Sequence, residues 1–170
     1  VIEISGPEPP IMDGSSIKFI ESLESAEIVE QDGIRDYFVI PESLFYKNEE
    51  KGVDIAALPL DDYRLTVMVD YNSPVLGSQH ATLNSLDDFK EHFASCRTFC
   101  FLHEIETLFH QNLIKGGDLD NAIVVVDRKV EDGELSHLAE LLGKPKVEVQ
   151  KEGILNNTEL RHKNEPARHK

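Results

Sequence analysis

The sequence predicts an α+β fold, a two-layer sandwich of helices on a mixed or antiparallel sheet with a β-α-β insert standing off it. Three observations predict it. Residues 97–126, RTFCFLHEIETLFHQNLIKGGDLDNAIVVV, read as a short strand, an amphipathic helix, a glycine turn and a fully apolar strand. From Tyr37 to Leu83 short apolar-rich runs are broken by Pro41, Asn48–Gly52 and Asp61-Asp62, which is the pattern of strands and hairpins. Helix-entry signals at Ser15-Ser16, Asn84-Ser85 and Asn164 place helices before, between and after those strands.

In chain order, Val1–Ile4 alternates apolar and polar as an edge strand does. Pro7, Pro9 and Pro10 then forbid helix and force an extended loop. Asp13-Gly14-Ser15 turns the chain into a helix carrying Ile17, Phe19, Ile20 and Leu23, which fades near Ile28. The polar turn Gln31-Asp32-Gly33 marks a domain boundary. Strands are predicted over Tyr37–Ile40, Leu44–Tyr46, Val53–Leu58 and Arg64–Asp70, with a weaker one over Val75–Leu83. Leu86–Phe93 follows as a helix with Asp87 and Asp88 in its first turn, where carboxylates favour the helix dipole.

In the insert, Leu102, Ile105, Leu108, Phe109 and Leu113 recur at spacings of three and four, giving one apolar face. Gly116-Gly117 closes that helix, because residues without a Cβ take the left-handed conformation readily. Asp118, Asp120 and Asn121 offer side-chain oxygens before the strand Ala122–Val126. Beyond it, Glu134–Leu142 is a helix stopped by Gly143, Val147–Gln150 a short strand, and Glu165-Pro166 the start of a last helix.

Composition narrows the function classes. The formal charge is −15, from 17 Lys+Arg against 32 Asp+Glu, which argues against nucleic acid and anionic membrane surfaces as partners. No apolar run is long enough to span a bilayer. Cys96 and Cys100 could form a disulfide, half a metal site or two free buried thiols, and free thiols in a reducing cytoplasm fit best. His80, His92, His103, His110, His137 and His162 show no ligand spacing and read as surface or structural residues.

A β-α-β unit this small cannot bury its own apolar face. Core packing against the rest of the domain is one account of that face, and a passage for a lipid or acyl chain is the other. Four stretches bear on the choice: GPEPPIMDGS (6–15), DYNSP (70–74), residues 97–126 as quoted, and EPARHK (165–170). In this order they resemble the zinc-dependent UDP-3-O-acyl-N-acetylglucosamine deacetylases of lipid A synthesis. VLGSQHATLN and KEGILNN resemble the form fused to a 3-hydroxyacyl-carrier-protein dehydratase.

The resemblance implies that residues 1–30 are the tail of a first deacetylase domain and 34–170 most of a second. It places an acyl-chain insert at about 98–127 and leaves about 127–153 as an extra excursion without a role. It implies zinc (Zn2+), with His169 as a ligand, and a cytoplasmic enzyme acting on a UDP-sugar that bears an acyl chain. Thr98 would hold the carbonyl or oxyanion of the acetamide and Phe99 would cover the sugar. Ile105, Ile114, Gly117, Leu119 and Ala122 would line the acyl passage, Asp70, Tyr71 and Asn72 would meet the uracil, and Lys170 would meet substrate oxygens and diphosphate. Family members usually carry phenylalanine at the Tyr71 position, and Asp118 stands where related enzymes can have serine. Plain strand packing accounts equally well for Thr98, Phe99 and Tyr71.

The family's T-x-E-H motif does not occur among these 170 residues, nor does an aspartate four residues after His169. A catalytic zinc site takes three protein ligands. The chain is therefore expected to be an internal piece of such a deacetylase, inactive alone. The competing class is a non-catalytic binding or assembly domain that shares the fold.

Overall fold

A computed structural model describes residues 3–131, 133–150, 153–155 and 159–170. Among them, helices α1 (Ile17–Ser25), α2 (Phe89–His92), α3 (Leu102–His110), α4 (Glu134–Leu141) and α5 (Glu165–His169) accompany six strands. These are β1 (Leu44–Asn48), β2 (Val53–Ala57), β3 (Leu65–Asp70), β4 (Ser78–Leu83), β5 (Phe99–Phe101) and β6 (Ile123–Val125). The α+β class and the β-α-β unit stand as predicted. The sheet takes the form of three two-stranded ladders: β1–β2 and β3–β4 antiparallel, β5–β6 parallel. None of the helices among the described residues is long and apolar enough to cross a membrane.

The core forms on both faces of β6, which is buried throughout. One cluster gathers Val124 and Val126 with Leu102 and Ile105 of α3 and with Leu138 and Ala139 of α4. The other gathers Ile123 and Val125 with Leu76 and Ile154. Successive strand residues point to opposite faces, so an unbroken apolar run suits a strand covered on both sides. Residues 153–155 extend this ladder: Val125 bridges Ile154, and the Leu155 N–H donates to the Val124 carbonyl at 3.1 Å. By contrast the β1–β2 hairpin stands open to solvent, with Phe45 77% and Ile55 57% exposed.

Several local expectations are corrected. Tyr37–Ile40 forms no strand, and Tyr37, Phe38 and Val39 are exposed, with no partner strand alongside. The strand predicted over Val75–Leu83 begins only at Ser78, because Gly77 adopts φ +57° after a turn held by Ser73. The Leu86–Phe93 helix opens as a 3₁₀ turn over Leu86–Asp88, with Ser85 Oγ accepting from the Asp87 N–H as a cap. Ser16 and Asn164 sit at helix starts without capping. Ser16 Oγ donates instead to the Ala94 carbonyl, and the Asn164 amide donates to the His80 carbonyl at 2.7 Å. Val147–Gln150 contributes a single bridge, from Val149 to Leu155. Of the edge strand predicted at Val1–Ile4, Val1 and Ile2 lie outside the described residues, and Glu3 and Ile4 join no strand.

Gly116-Gly117 does not close α3. Helix α3 ends at His110, and the left-handed residue beyond it is Asn112, at φ +57°. Gly116 and Gly117 serve close approach instead: an added Cβ would lie 3.1 Å from Ile11 Cγ2 and 2.6 Å from Ile114 Cγ2, respectively. Gly14 is tighter still. At φ +79° its Cβ would fall 1.6 Å from the Asn121 carbonyl oxygen.

One ion pair ties the last helix to β5. Glu165, with no exposed surface, accepts from Arg97 Nε and the Arg97 backbone N–H at 3.0 and 2.9 Å and from the Arg161 N–H at 2.7 Å. Burial pushes its carboxyl pKa up, but the bonds from Arg97 and Arg161 outweigh that and hold it below the ordinary value. A depressed carboxylate stabilises the fold above the unfolded pKa, about 4.3, and loses that contribution as pH falls through the folded value. Glu165→Gln in the full-length protein is expected to cost about 3 kcal/mol, because it strands Arg97 in the interior. Denaturant titration at neutral pH checks the cost, and the gap between variant and parent should narrow as the medium is acidified.

Candidate functional site

A cavity of about 600 Å³ opens along the β-α-β unit. Ile105, Ile114, Gly117, Leu119 and Ala122 all line it, together with Thr98 and Phe99 of the β5 segment. Its wall also includes residues for which the sequence reading foresaw no such place. Pro9, Pro10 and Ile11 enter from the N-terminal loop, and Leu142 enters from the end of α4. The signal for the prolines was present in PPIMDGS, an apolar extended stretch that cannot bury itself. The volume falls in the range of small-molecule sites, and the lining is mostly aliphatic.

Backbone bonds fix Thr98 at this wall. Its N–H donates to the Gly14 carbonyl at 2.8 Å, and its carbonyl accepts from the Ile123 N–H at 2.9 Å. The N-terminal loop, β5 and β6 are thereby stitched side by side. On the 113–122 loop, Asn121 Oδ1 accepts from the Asp118 N–H at 2.7 Å and its amide donates to the Gly116 carbonyl at 2.9 Å. This holds the glycine pair against Ile11 and Ile114. Asp13, read as a turn residue, accepts from Ser15 and pairs with Arg161 at 3.0 Å.

Phe99 is where three other predicted residues, Tyr71, His169 and Lys170, meet. The Tyr71 ring stands edge-on to it with centroids 5.6 Å apart, and the His169 ring does so at 6.4 Å. Lys170 Nζ lies 5.3 Å from the centroid of the same ring, within cation–π range. His169 and Lys170 are exposed. Asp70 and Asn72 are exposed too, with Asn72 at φ +47° donating its N–H to Asp70 Oδ1 at 2.9 Å. The Tyr71 hydroxyl is buried with no hydrogen-bond partner within the described residues, and burial pushes its pKa up.

Cys96 and Cys100 are free thiols. Burial, reinforced by Glu165 and Glu104 respectively, pushes both to about 11, so they stay protonated and weakly reactive. Among the described residues no group of three or more His, Cys, Asp or Glu side chains is placed to hold a metal ion. His103 stacks on Phe101 and sits 3.5 Å from Asp127, apart from any such group.

Residues 1–144 match the family described as LpxC, UDP-3-O-acyl N-acetylglycosamine deacetylase. The chain belongs to this family. It is 55% identical to a bifunctional enzyme LpxC/FabZ of Chlorobaculum tepidum, the match covering 99% of the chain and 37% of the relative. It is 39% identical to a protein of the same name in Bacteroides thetaiotaomicron, over 100% of the chain and 37% of the relative. A UDP-3-O-acyl-N-acetylglucosamine deacetylase of Syntrophotalea carbinolica is 34% identical, over 99% of the chain and 47% of the relative. The chain thus spans less than half the length of these curated relatives.

If the cavity takes alkyl chains, filling it from within should exclude them. Ala122→Leu in the full-length protein is expected to weaken binding of a long-chain alkyl fluorophore by roughly tenfold, the loss of one or two buried methylenes. A fluorescence titration, with near-ultraviolet circular dichroism confirming the fold, checks this.

Proposed function

We propose that this chain is the part of a deacetylase that receives the acyl chain of UDP-3-O-(3-hydroxyacyl)-N-acetylglucosamine and positions its acetamide for hydrolysis to acetate. The observation that carries the proposal is a convergence. The five residues assigned to the acyl passage line one cavity, which reaches Thr98 and Phe99, and His169 and Lys170 lie against Phe99.

Each residue then has a task its chemistry suits. The cavity takes the hydrocarbon, each buried methylene contributing about 0.8 kcal/mol. Binding energy from this remote part of the substrate anchors the reacting end. Thr98, held by backbone bonds on both sides, presents a hydroxyl as donor to the acetamide oxygen, where negative charge grows during hydrolysis. Phe99 covers the sugar. Lys170 offers a flexible ammonium to the diphosphate. Asp70, Tyr71 and Asn72 meet the uracil. In this reading residues 1–30 close the first domain and 34–170 form most of the second, with the acyl insert at about 98–127.

Zinc belongs to the proposal for the whole protein, where it would supply Lewis-acid activation of the water that attacks the amide. The described residues of this chain do not by themselves make that site. His169 is one imidazole where three protein ligands are needed. What the chain's own side chains perform is binding, orientation and exclusion of water. Fusion to a dehydratase is supported by the relatives named LpxC/FabZ. Two unbridged thiols with raised pKa values are in keeping with a cytoplasmic protein.

Acetate release by the full-length protein tests the proposal. UDP-3-O-(3-hydroxyacyl)-N-acetylglucosamine should be turned over, and the same sugar nucleotide without its acyl chain at least about a hundredfold less efficiently, since the anchoring contacts are gone. Thr98→Val should lower kcat by about tenfold or more with little change in KM, as loss of one oxyanion donor does. Absence of acetate from either substrate would leave a binding or assembly role.

A further inference from the structure

Helix α4 and the turn after it belong to the 127–153 excursion, which the substrate reading leaves without a task. Yet Leu142 stands in the same cavity wall as Ile105, Ile114 and Leu119. It is the one residue of that excursion, among those described, that lines the cavity. Leu142 also packs on the cluster that includes Ile105 and Leu119.

A clamp holds this wall in place. At Gly143, φ +63°, the chain turns sharply, and the Lys144 N–H donates to the Ala139 carbonyl at 2.8 Å. Lys144 Nζ then reaches Asp118 Oδ1 at 2.9 Å and Asp120 Oδ2 at 3.3 Å. Asp118 is itself a cavity residue, at the position given no substrate role because related enzymes can have serine there. Its carboxylate therefore has a task here that serine could not perform: it ties the excursion to the 113–122 loop. Lys144 is 27% exposed and Asp118 40%, so the pair is only partly screened by water.

We infer that Leu142, fastened by the Lys144–Asp118 clamp, is a specificity-determining wall of the acyl cavity that limits the length of chain it accepts. The inference rests on the acyl-cavity reading above. An alkyl chain gains contacts with each added carbon until its end meets the Leu142 side chain, and further carbons then gain nothing. Truncating Leu142 to alanine removes three heavy atoms from that stop, so the limit moves outward by about two or three carbons. A larger ring at the same place moves it inward.

The test is a binding series on the full-length protein. Glucosamine bearing 3-hydroxyacyl chains of increasing length is titrated by calorimetry, and acetate release from the matching UDP-sugars is followed separately. In the parent protein affinity should rise about fourfold per carbon, then level off. Leu142→Ala should shift the levelling point to longer chains, Leu142→Phe to shorter ones, and Lys144→Ala should blur it in the direction of Leu142→Ala. Levelling at one length in the parent and both Leu142 variants overturns the inference, as does failure of any acyl chain to bind. A shifted levelling point without acetate release would sustain this inference and sink the deacetylase reading. Acetate release with an unmoved levelling point would do the reverse.

Discussion

Glu165 is fully enclosed, and a lone carboxylate there would not stay charged. Arg97 makes its burial tolerable, and the consequence is positional. Arg97 immediately precedes Thr98 and Phe99, while Glu165 opens the helix that carries His169. A bidentate guanidinium–carboxylate pair, backed by the Arg97 and Arg161 amides and by Arg97 Nη2 donating to the Glu159 carbonyl at 2.5 Å, fixes both distance and angle between those segments. Replacing the pair by apolar residues could preserve stability, since buried ion pairs are often no better than packed hydrocarbon. It would not preserve the mutual orientation, because hydrocarbon contact has no preferred direction. The edge-on approach of His169 to Phe99 depends on that orientation.

A second constraint acts at the opposite side of Thr98. Gly14 approaches the Asn121 carbonyl so closely that no side chain fits, and its own carbonyl receives the Thr98 N–H. The N-terminal loop is thus drawn in as a third wall, which is how Glu8, Pro9, Pro10 and Ile11 come to line a cavity otherwise built from residues more than eighty positions later. Proline is well suited to that wall. Its backbone is rigid and it brings no N–H that a dry surface would leave unsatisfied.

These constraints explain what was legible in the sequence. Helix α3 and β6 were readable because their apolar periods are set by local geometry: Ile105 and Leu102 turn inward together, and Ile123–Val126 is apolar on both faces because both are covered. The cavity residues Ile105, Ile114, Gly117, Leu119 and Ala122 were readable through a family pattern that concentrates in this unit. Close approach was not legible. A glycine that ends a helix and a glycine that admits Ile11 look alike in one sequence, and only the partner eighty or more residues away distinguishes them. The same blindness hid Leu142, whose place in the wall depends on a turn at Gly143 and a lysine clamp. Tyr37–Ile40 failed for the complementary reason, since β-rich composition makes a strand only where a partner strand lies alongside.

The charge balance raises a last physical question. A chain with 32 acidic and 17 basic side chains repels anionic ligands at long range. At physiological ionic strength, however, exposed charges are screened beyond about 8 Å, so the charges in contact range decide the binding. The stretch from Arg161 to Lys170 holds four of the cations, of which Arg161 is committed to Asp13 and Arg168 to Asn164 and the His92 carbonyl, while nearby Arg97 is committed to Glu165. Lys170 is exposed and stands over the Phe99 face, on a flexible stem. A ring face stabilises an ammonium without neutralising it, whereas a carboxylate partner would cancel the charge on offer. Lys170 is thereby kept both oriented and available to an anionic group.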